Sequence, residues 1–354
     1  MLKYNQTLRR PLMKNTLNNK PTKEQWERLY DAALKIGQLK PWEKLYDMDL
    51  LTILLPDQEE PIFCSVMGRA GECYGIGIYL GYESINKFMQ IANLDGTEGL
   101  SSLTTMLSQD CLMCYFGDRD EITPDDREPM KMLGLKFRGH NNWIYFRSMK
   151  PGMYPWYING EQAALMTEVL ENLNSAYKYL IEGKLEVDFE NGETLLRQYS
   201  PEQKAWINTK APIKIPVIKR SLIIDNQILT TRLKKQKMTL VELELDMLYI
   251  PNPIQEKDDM IPWMPRIVLM ADRQSGIILN QHILNKDTLA EEIIIETLED
   301  YIMEHGRPST IYVRNENIGC YLNDLCEKIK VKLVMDEDFL AVDEIFDSLM
   351  DYMR

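Results

Sequence analysis

The sequence predicts an α+β protein built as two domains. Its 354 residues exceed what a single hydrophobic core usually organises. Short apolar runs of strand length are interleaved with apolar stripes at the three-to-four-residue spacing of amphipathic helices. The two halves order these segments differently: a run of strands dominates the first, and helix–strand alternation follows three strands in the second. The longest apolar runs, such as residues 50–55, fall far short of the ~20 residues of a membrane-spanning helix, so no membrane partner is expected.

In the first domain, Thr22 with Gln25 three positions on is a capping box. Trp26, Leu29, Tyr30, Ala33 and Leu34 then form one stripe, which gives a helix ending near Gly37. Residues 50–55, 61–67 and 74–80 read as strands, the last two joined by a turn at Gly68-Arg69-Ala70-Gly71. A helix over 83–91, a strand over 111–116, a helix over 124–133 and a strand over 143–147 follow. Asn159 with Gln162 is a second capping box. Leu165, Val169, Leu173, Tyr177 and Leu180 carry that helix to its stop at Gly183. The expectation is a basic flexible tail over 1–21 and an α+β domain with an antiparallel meander over 22–183.

Asn191-Gly192, between apolar runs at 185–189 and 194–197, is a two-residue hairpin signal. With apolar density falling around it, 184–215 reads as a hairpin and linker. The second domain is expected over 216–354. There 241–250 alternates as a strand (Val241, Leu243, Leu245, Met247), and a proline-punctuated loop occupies 251–265. Strands at 266–271 and 276–283 meet across Asp272-Arg273-Gln274-Ser275, closed by Gly276. Asp287 is the expected cap of a helix that stops at His305-Gly306-Arg307-Pro308. A strand at 310–313, a helix at 319–328, a strand at 331–335 and a helix at 340–352 complete the order β-β-β-α-β-α-β-α.

This order resembles the ribonuclease-H-like fold of ribonucleases H, retroviral integrases and many transposases. The local likeness is to an integrase core, carried by Asp272 with Gly276, Gly306-Arg307-Pro308, Ile311-Tyr312-Val313 and Ile329-Lys330-Val331. The whole chain also looks like two-domain bacterial proteins with Cys64-Ser65-Val66-Met67-Gly68 and Tyr79-Leu80-Gly81-Tyr82-Glu83 in the first domain, a likeness that implies no activity.

The first resemblance implies carboxylates converging on two divalent cations, which would activate water and steady the leaving oxygen. Two registers are open. With 241–250 as first strand, Asp246 is the leading carboxylate and the strand count is complete. With 266–271 first, Asp272 leads and one strand is missing, so the former is preferred. The second acid belongs at the end of the fourth strand, where the chain reads Val313-Arg314-Asn315-Glu316. Arg314 would repel metals there, leaving Glu316 as the substitute. The third acid falls to the last helix, with Asp343, Glu344 and Asp347 on offer, and Asp343 and Asp347 on one face.

The net charge of −13 is dipolar rather than uniform. Residues 1–44 balance to +6 and residues 287–354 to −11, while 204–237 sets nine bases against Asp225 alone. The basic tail lacks the apolar stretch of a secretory signal, and Met13 offers a second start. In the basic band, Lys219, Arg220, Arg232, Lys234, Lys235 and Lys237 bracket a helix expected to be capped by Asp225. They are candidates for nucleic-acid phosphates, for docking on the chain's own acidic lobe, or for plain solvation. Aromatic residues do not interleave with them, so stacking on single strands is not expected.

Six scattered cysteines fit a reduced cytoplasm. Cys64 and Cys73 are symmetric about the Gly68–Gly71 turn and could face one another, and with Cys111 and Cys114 they could supply four thiolates. Only Cys111 and Cys114 have ligand spacing, and on a strand those two point to opposite faces. Buried thiols are expected, with no metal ligand assigned. Gly75-Ile76-Gly77 opens no helix for a pyrophosphate and reads as strand. The three histidines, His140, His282 and His305, form no local catalytic pairing, and His305 suits a helix end.

The leading expectation is a non-catalytic cytoplasmic bacterial protein, without cofactor, whose degenerate ribonuclease-H-like domain serves binding or assembly. One alternative is a Mg2+-dependent nuclease or transposase-like enzyme using Asp246 or Asp272, Glu316 and Asp343. Another is a nucleic-acid binder without chemistry. Carboxylates within ~4–5 Å of a common point would favour the enzyme. Arg314 ion-paired in their midst would end it.

Overall fold

A computed structural model describes residues 19–56, 58–92, 106–216, 221–257, 259–336 and 338–353. Most of the expected basic tail, and Lys219 and Arg220 of the basic band, lie outside the described residues. The described chain divides into two compact units, 19–216 and 221–353.

In the first unit, the Thr22 hydroxyl accepts from the Gln25 amide and the Gln25 side chain accepts from the Thr22 amide, opening α1 (Lys23–Leu39). The helix passes Gly37 and ends at Lys40, which is left-handed with φ 45°. Strands β1 (Leu51–Leu54), β2 (Ile62–Met67), β3 (Gly75–Leu80), β4 (Cys111–Gly117) and β5 (Trp143–Met149) make an antiparallel meander. Helices α2 (Gly81–Ala92) and α3 (Pro124–Met132) interrupt it. Asn159 and Gln162 form the second capping box, opening α4 (Gly160–Ile181).

Residues 184–215 are not a linker. Phe189–Asn191 form a short 3-10 turn, in which the Asp188 carboxylate accepts from the Asn191 amide and left-handed Gly192 (φ 75°) closes the turn. Asn-Gly here ends a helical turn instead of joining two strands. Strand β6 (Glu193–Ser200) pairs parallel with β1, with Leu195 opposite Leu51, and antiparallel with β7 (Ala205–Pro212). The sheet order is therefore β5-β4-β3-β2-β1-β6-β7. Buried Thr52 and Thr194 lock the parallel seam through hydroxyls 2.9 Å apart.

Strand alternation splits the side chains between two layers. On one face Ile53, Cys64, Ile78, Cys114 and Phe146 pack under α1 and α4. On the other, Phe63, Tyr79, Cys111 and Met113 pack with Ile85 and Phe88 of α2. Cys111 and Cys114 thus fall on opposite faces, and Cys64 lies opposite Ile78, not opposite exposed Cys73. Burial pushes the Cys64 and Cys111 thiols up to about 12.

The second unit begins with α5 (Gln227–Lys234), capped by Asn226, whose side chain accepts from the Leu229 amide; Asp225 is one residue too early to cap it. Strands β8 (Glu242–Tyr249), β9 (Arg266–Asp272) and β10 (Ile278–Leu284) are antiparallel. Helix α6 (Ala290–His305), strand β11 (Thr310–Val313), helix α7 (Glu316–Ile329), strand β12 (Lys332–Met335) and helix α8 (Leu340–Met353) follow. The sheet order is β10-β9-β8-β11-β12, with β8, β11 and β12 parallel.

Asp287 does not cap α6: the N-cap is Leu289, while Asn285 accepts from the Asp287 amide and the Thr288 hydroxyl. Asn315 caps α7 through the Asn317 amide, so that helix starts three residues before the stripe at Gly319 suggests. Gly306 (φ 96°) ends α6 where an added Cβ would lie 2.6 Å from the Lys237 carbonyl oxygen. Leu243, Leu245, Val268, Met270, Ile311 and Val313 pack under α6 and α7. Leu248, Ile250, Ile267, Leu269 and Ala271 pack under α8. Among the described residues, no helix is long and apolar enough to cross a membrane.

Candidate functional site

The outward alternation of β8 decides the site. Leu243, Leu245 and Met247 face α6 and α7, so Glu244 and Asp246 face α8. Both acids are buried. Tyr312, on β11, borders the same α8-facing cluster, and Arg314 lies two residues beyond it, on that side.

Arg314 is the centre of this corner. Its Nε donates to Asp246 Oδ2 at 2.6 Å, and its Nη1 and Nη2 donate to Asp343 Oδ2 and Oδ1 at 3.0 and 2.6 Å. The fork on Asp343 is bidentate, the strongest arrangement a guanidinium makes with a carboxylate. Its side chain is 6% exposed and that of Asp246 2%. The guanidinium carbon also sits 4.9 Å from the centre of the Phe339 ring. Burial works against the cation, but its hydrogen bond to Asp343 and the charges of Asp246 and Asp343 outweigh it and raise the Arg314 pKa. Burial pushes Asp246 up to about 6 against the pull of Arg314.

A second pair adjoins it. Glu244 Oε2 accepts the Val342 amide at 2.9 Å, so a strand carboxylate satisfies an orphan amide in the first turn of α8. Arg273 lies 3.9 Å from Glu244, donates to Asp336 at 2.9 Å and stacks 3.9 Å over the Tyr312 ring. Burial raises the Glu244 pKa, and the charge of Asp343 adds to the rise.

The expected acids do not share one place. Asp246 and Asp343 are brought together, but through Arg314. Asp272 follows Val268 and Met270 on the α6 side of the sheet, where burial, and then the charge of Asp272, raise the Tyr301 pKa. Its carboxylate accepts the Gln274 and Ser275 amides, which makes it a turn residue. Glu316 is exposed on the first turn of α7. Among the described residues, no three Asp, Glu, His or Cys side chains are placed to hold a metal ion. The donor set therefore does not fit the two-metal centre that the resemblance implies: a guanidinium stands between the two acids that do approach. Glu244 escaped the sequence reading, although Glu244 and Asp246 are two apart on an alternating strand and so share a face.

Of the basic band, Arg232, Lys234, Lys235 and Lys237 are exposed on and just beyond α5, which buries Leu233 against the core. None of the four is ion-paired with a described residue, so they are exposed to solvent and not docked on the described acidic side chains.

The chain thus presents two α+β units, and comparisons with known proteins divide it similarly. Residues 26–197 match a domain of unknown function, DUF7309, and residues 229–350 match another, DUF6930. No curated protein matches the chain. Among solved structures it is similar to a chain from the cryo-EM structure of the simian T-cell lymphotropic virus intasome in complex with PP2A regulatory subunit B56 gamma. The identity is 16%, over 34% of this chain and 43% of that one, with a TM-score of 0.22. So small an overlap defines no shared fold.

Proposed function

We propose that residues 216–354 form a ribonuclease-H-like domain whose metal corner has become an ion-pair hub, and that the protein is a non-catalytic binding or assembly protein of the bacterial cytoplasm. The observed order of elements supports the fold: three antiparallel strands, then helix, strand, helix, strand and helix, with β8 central and parallel to β11. None of the six cysteines is joined in a disulfide, in keeping with a reducing compartment. One observation carries the loss of chemistry. Arg314 occupies the end of the fourth strand and holds Asp246 and Asp343 by charge-assisted hydrogen bonds, where bridging cations would have to displace a buried guanidinium.

The test is a cleavage assay with Mg2+ and Mn2+ on single- and double-stranded DNA, RNA and their hybrid. Asp246→Ala and Asp272→Ala serve as controls. The expected result is no cleavage beyond that of Asp246→Ala; cleavage by the wild type that both Asp246→Ala and Asp343→Ala abolish would overturn the proposal.

A second reading, nucleic-acid binding without chemistry, rests on the four solvated cations of the α5 segment. Such contacts release counterions, so binding would weaken steeply between ~50 and 200 mM salt. Binding indifferent to salt, or no binding, would exclude it.

A further inference from the structure

The first unit carries an open cavity of about 730 Å³ between α3, the turn at 118–120, residues 135–140 and the start of β5. That volume lies in the range of small-molecule sites, roughly 300–1,000 Å³. Five permanent cations line it, Arg119, Arg127, Lys131, Lys136 and Arg138, against two acids, Asp118 and Asp120. None of the five is ion-paired with a described residue. Asp118 is already engaged: it accepts from the Asn141 amide at 2.8 Å and lies 3.0 Å from His140 Nδ1. That hydrogen bond, and then the charge of Asp118, raise the His140 pKa.

The floor is of opposite chemistry. Met130, Leu135, Phe137 and Trp143 line it, with the Phe137 and Trp143 rings 6.0 Å apart and Phe137 braced 6.2 Å from Tyr30 of α1. An inorganic anion needs no aromatic floor, and an apolar ligand gains nothing from a ring of guanidinium and ammonium groups. Both features together suit a molecule with a planar ring at one end and phosphate at the other.

We propose that this cavity binds a nucleotide, its base against Trp143 and Phe137 and its phosphates among Arg127, Lys131 and Arg138. The site lies in the first unit and stands or falls independently of the ion-pair hub in the second. The same chemistry is offered by a free nucleotide and by the end of a nucleic-acid strand.

Isothermal titration of the full chain with ATP, pyrophosphate and a short oligonucleotide tests it. ATP is expected to bind, and pyrophosphate roughly tenfold more weakly, because one base stack is worth ~1–3 kcal/mol. Trp143→Leu should bring ATP down to the pyrophosphate level and leave pyrophosphate itself unchanged, which a merely unfolded variant would not do. Arg127→Glu with Arg138→Glu should weaken both ligands at least about tenfold, as should the exposed pair Lys131→Glu and Lys136→Glu if the first pair fails to fold. No binding of ATP, equal binding of ATP and pyrophosphate, or charge-reversed variants that bind as the wild type does would overturn the site. An oligonucleotide that displaces ATP names the strand as the source; one that does not names the free nucleotide.

Discussion

Replacing Arg314 with methionine isolates the charge at the centre of the second unit. Methionine keeps an unbranched apolar stem and removes the guanidinium, whose carbon sits 4.9 Å from the centre of the Phe339 ring, so the loss is electrostatic more than volumetric. Asp246 keeps one protein donor, the Met247 amide at 2.8 Å, and stays in an interior where it is 2% exposed. Asp343 is far more exposed and can turn to water. Breaking a buried pair by removing one partner costs about 3–5 kcal/mol, because the remaining charge stays buried. With an m-value near ~2 kcal/mol/M for urea, the unfolding midpoint of this unit should fall by about 2 M. Trp263 is the one tryptophan of six in the second unit and is buried, so its resonance in fluorotryptophan-labelled protein reports that unit alone. Adding Asp246→Asn should restore part of the loss by removing the stranded charge. A midpoint within ~0.5 M of wild type, or a double variant no more stable than the single one, would show that Arg314 does not offset a buried charge on Asp246.

The same carboxylate sets a pH dependence. With its pKa raised to about 6, folded Asp246 holds a proton between pH ~4 and ~6 that the unfolded chain has released. The group therefore weakens the fold progressively as pH rises through that window, by about 3 kcal/mol in full above it. Asp246→Asn should flatten the urea midpoints of the second unit across that range, and an unaltered slope would contradict the assignment. In the first unit, Arg147 forks onto Asp126 at 2.7 and 2.8 Å, with both side chains largely buried. Asp126→Ala should cost that unit about 3–5 kcal/mol in urea denaturation and leave the Trp263 signal in place. Reversing Arg232, Lys234 and Lys235 together should change thermal stability little, by about 0.5 kcal/mol or less per site, while abolishing any salt-dependent nucleic-acid binding at α5.

Local chemistry was readable in advance, and long-range pairing was not. The capping boxes at Thr22–Gln25 and Asn159–Gln162 are short-range devices, and both opened helices where the sequence placed them. The five-strand meander followed for the same reason, since each strand pairs with its neighbour in sequence. The pairing of β6 is not legible locally, because its partner β1 lies far back along the chain and nothing near Asn191-Gly192 encodes a parallel seam. Asp225 and Asp287 looked like caps by residue type, yet Asn226 and Leu289 took those positions. Arg314 stood out as a misfit in the sequence, but its two carboxylate partners lie on different elements, and only the folded chain brings them to it. The cationic cavity of the first unit is assembled from scattered turns and a helix, so no single segment announces it.

A guanidinium occupies the corner where the proposed ribonuclease-H-like fold would hold metal ions. Titration of the full chain with Mn2+, followed by electron paramagnetic resonance, measures that directly, because bound and free Mn2+ give distinct signals. The free-ion signal is expected to rise in proportion to added Mn2+ in wild type and Asp246→Ala alike. Saturable Mn2+ binding to the wild type that Asp246→Ala removes would contradict it.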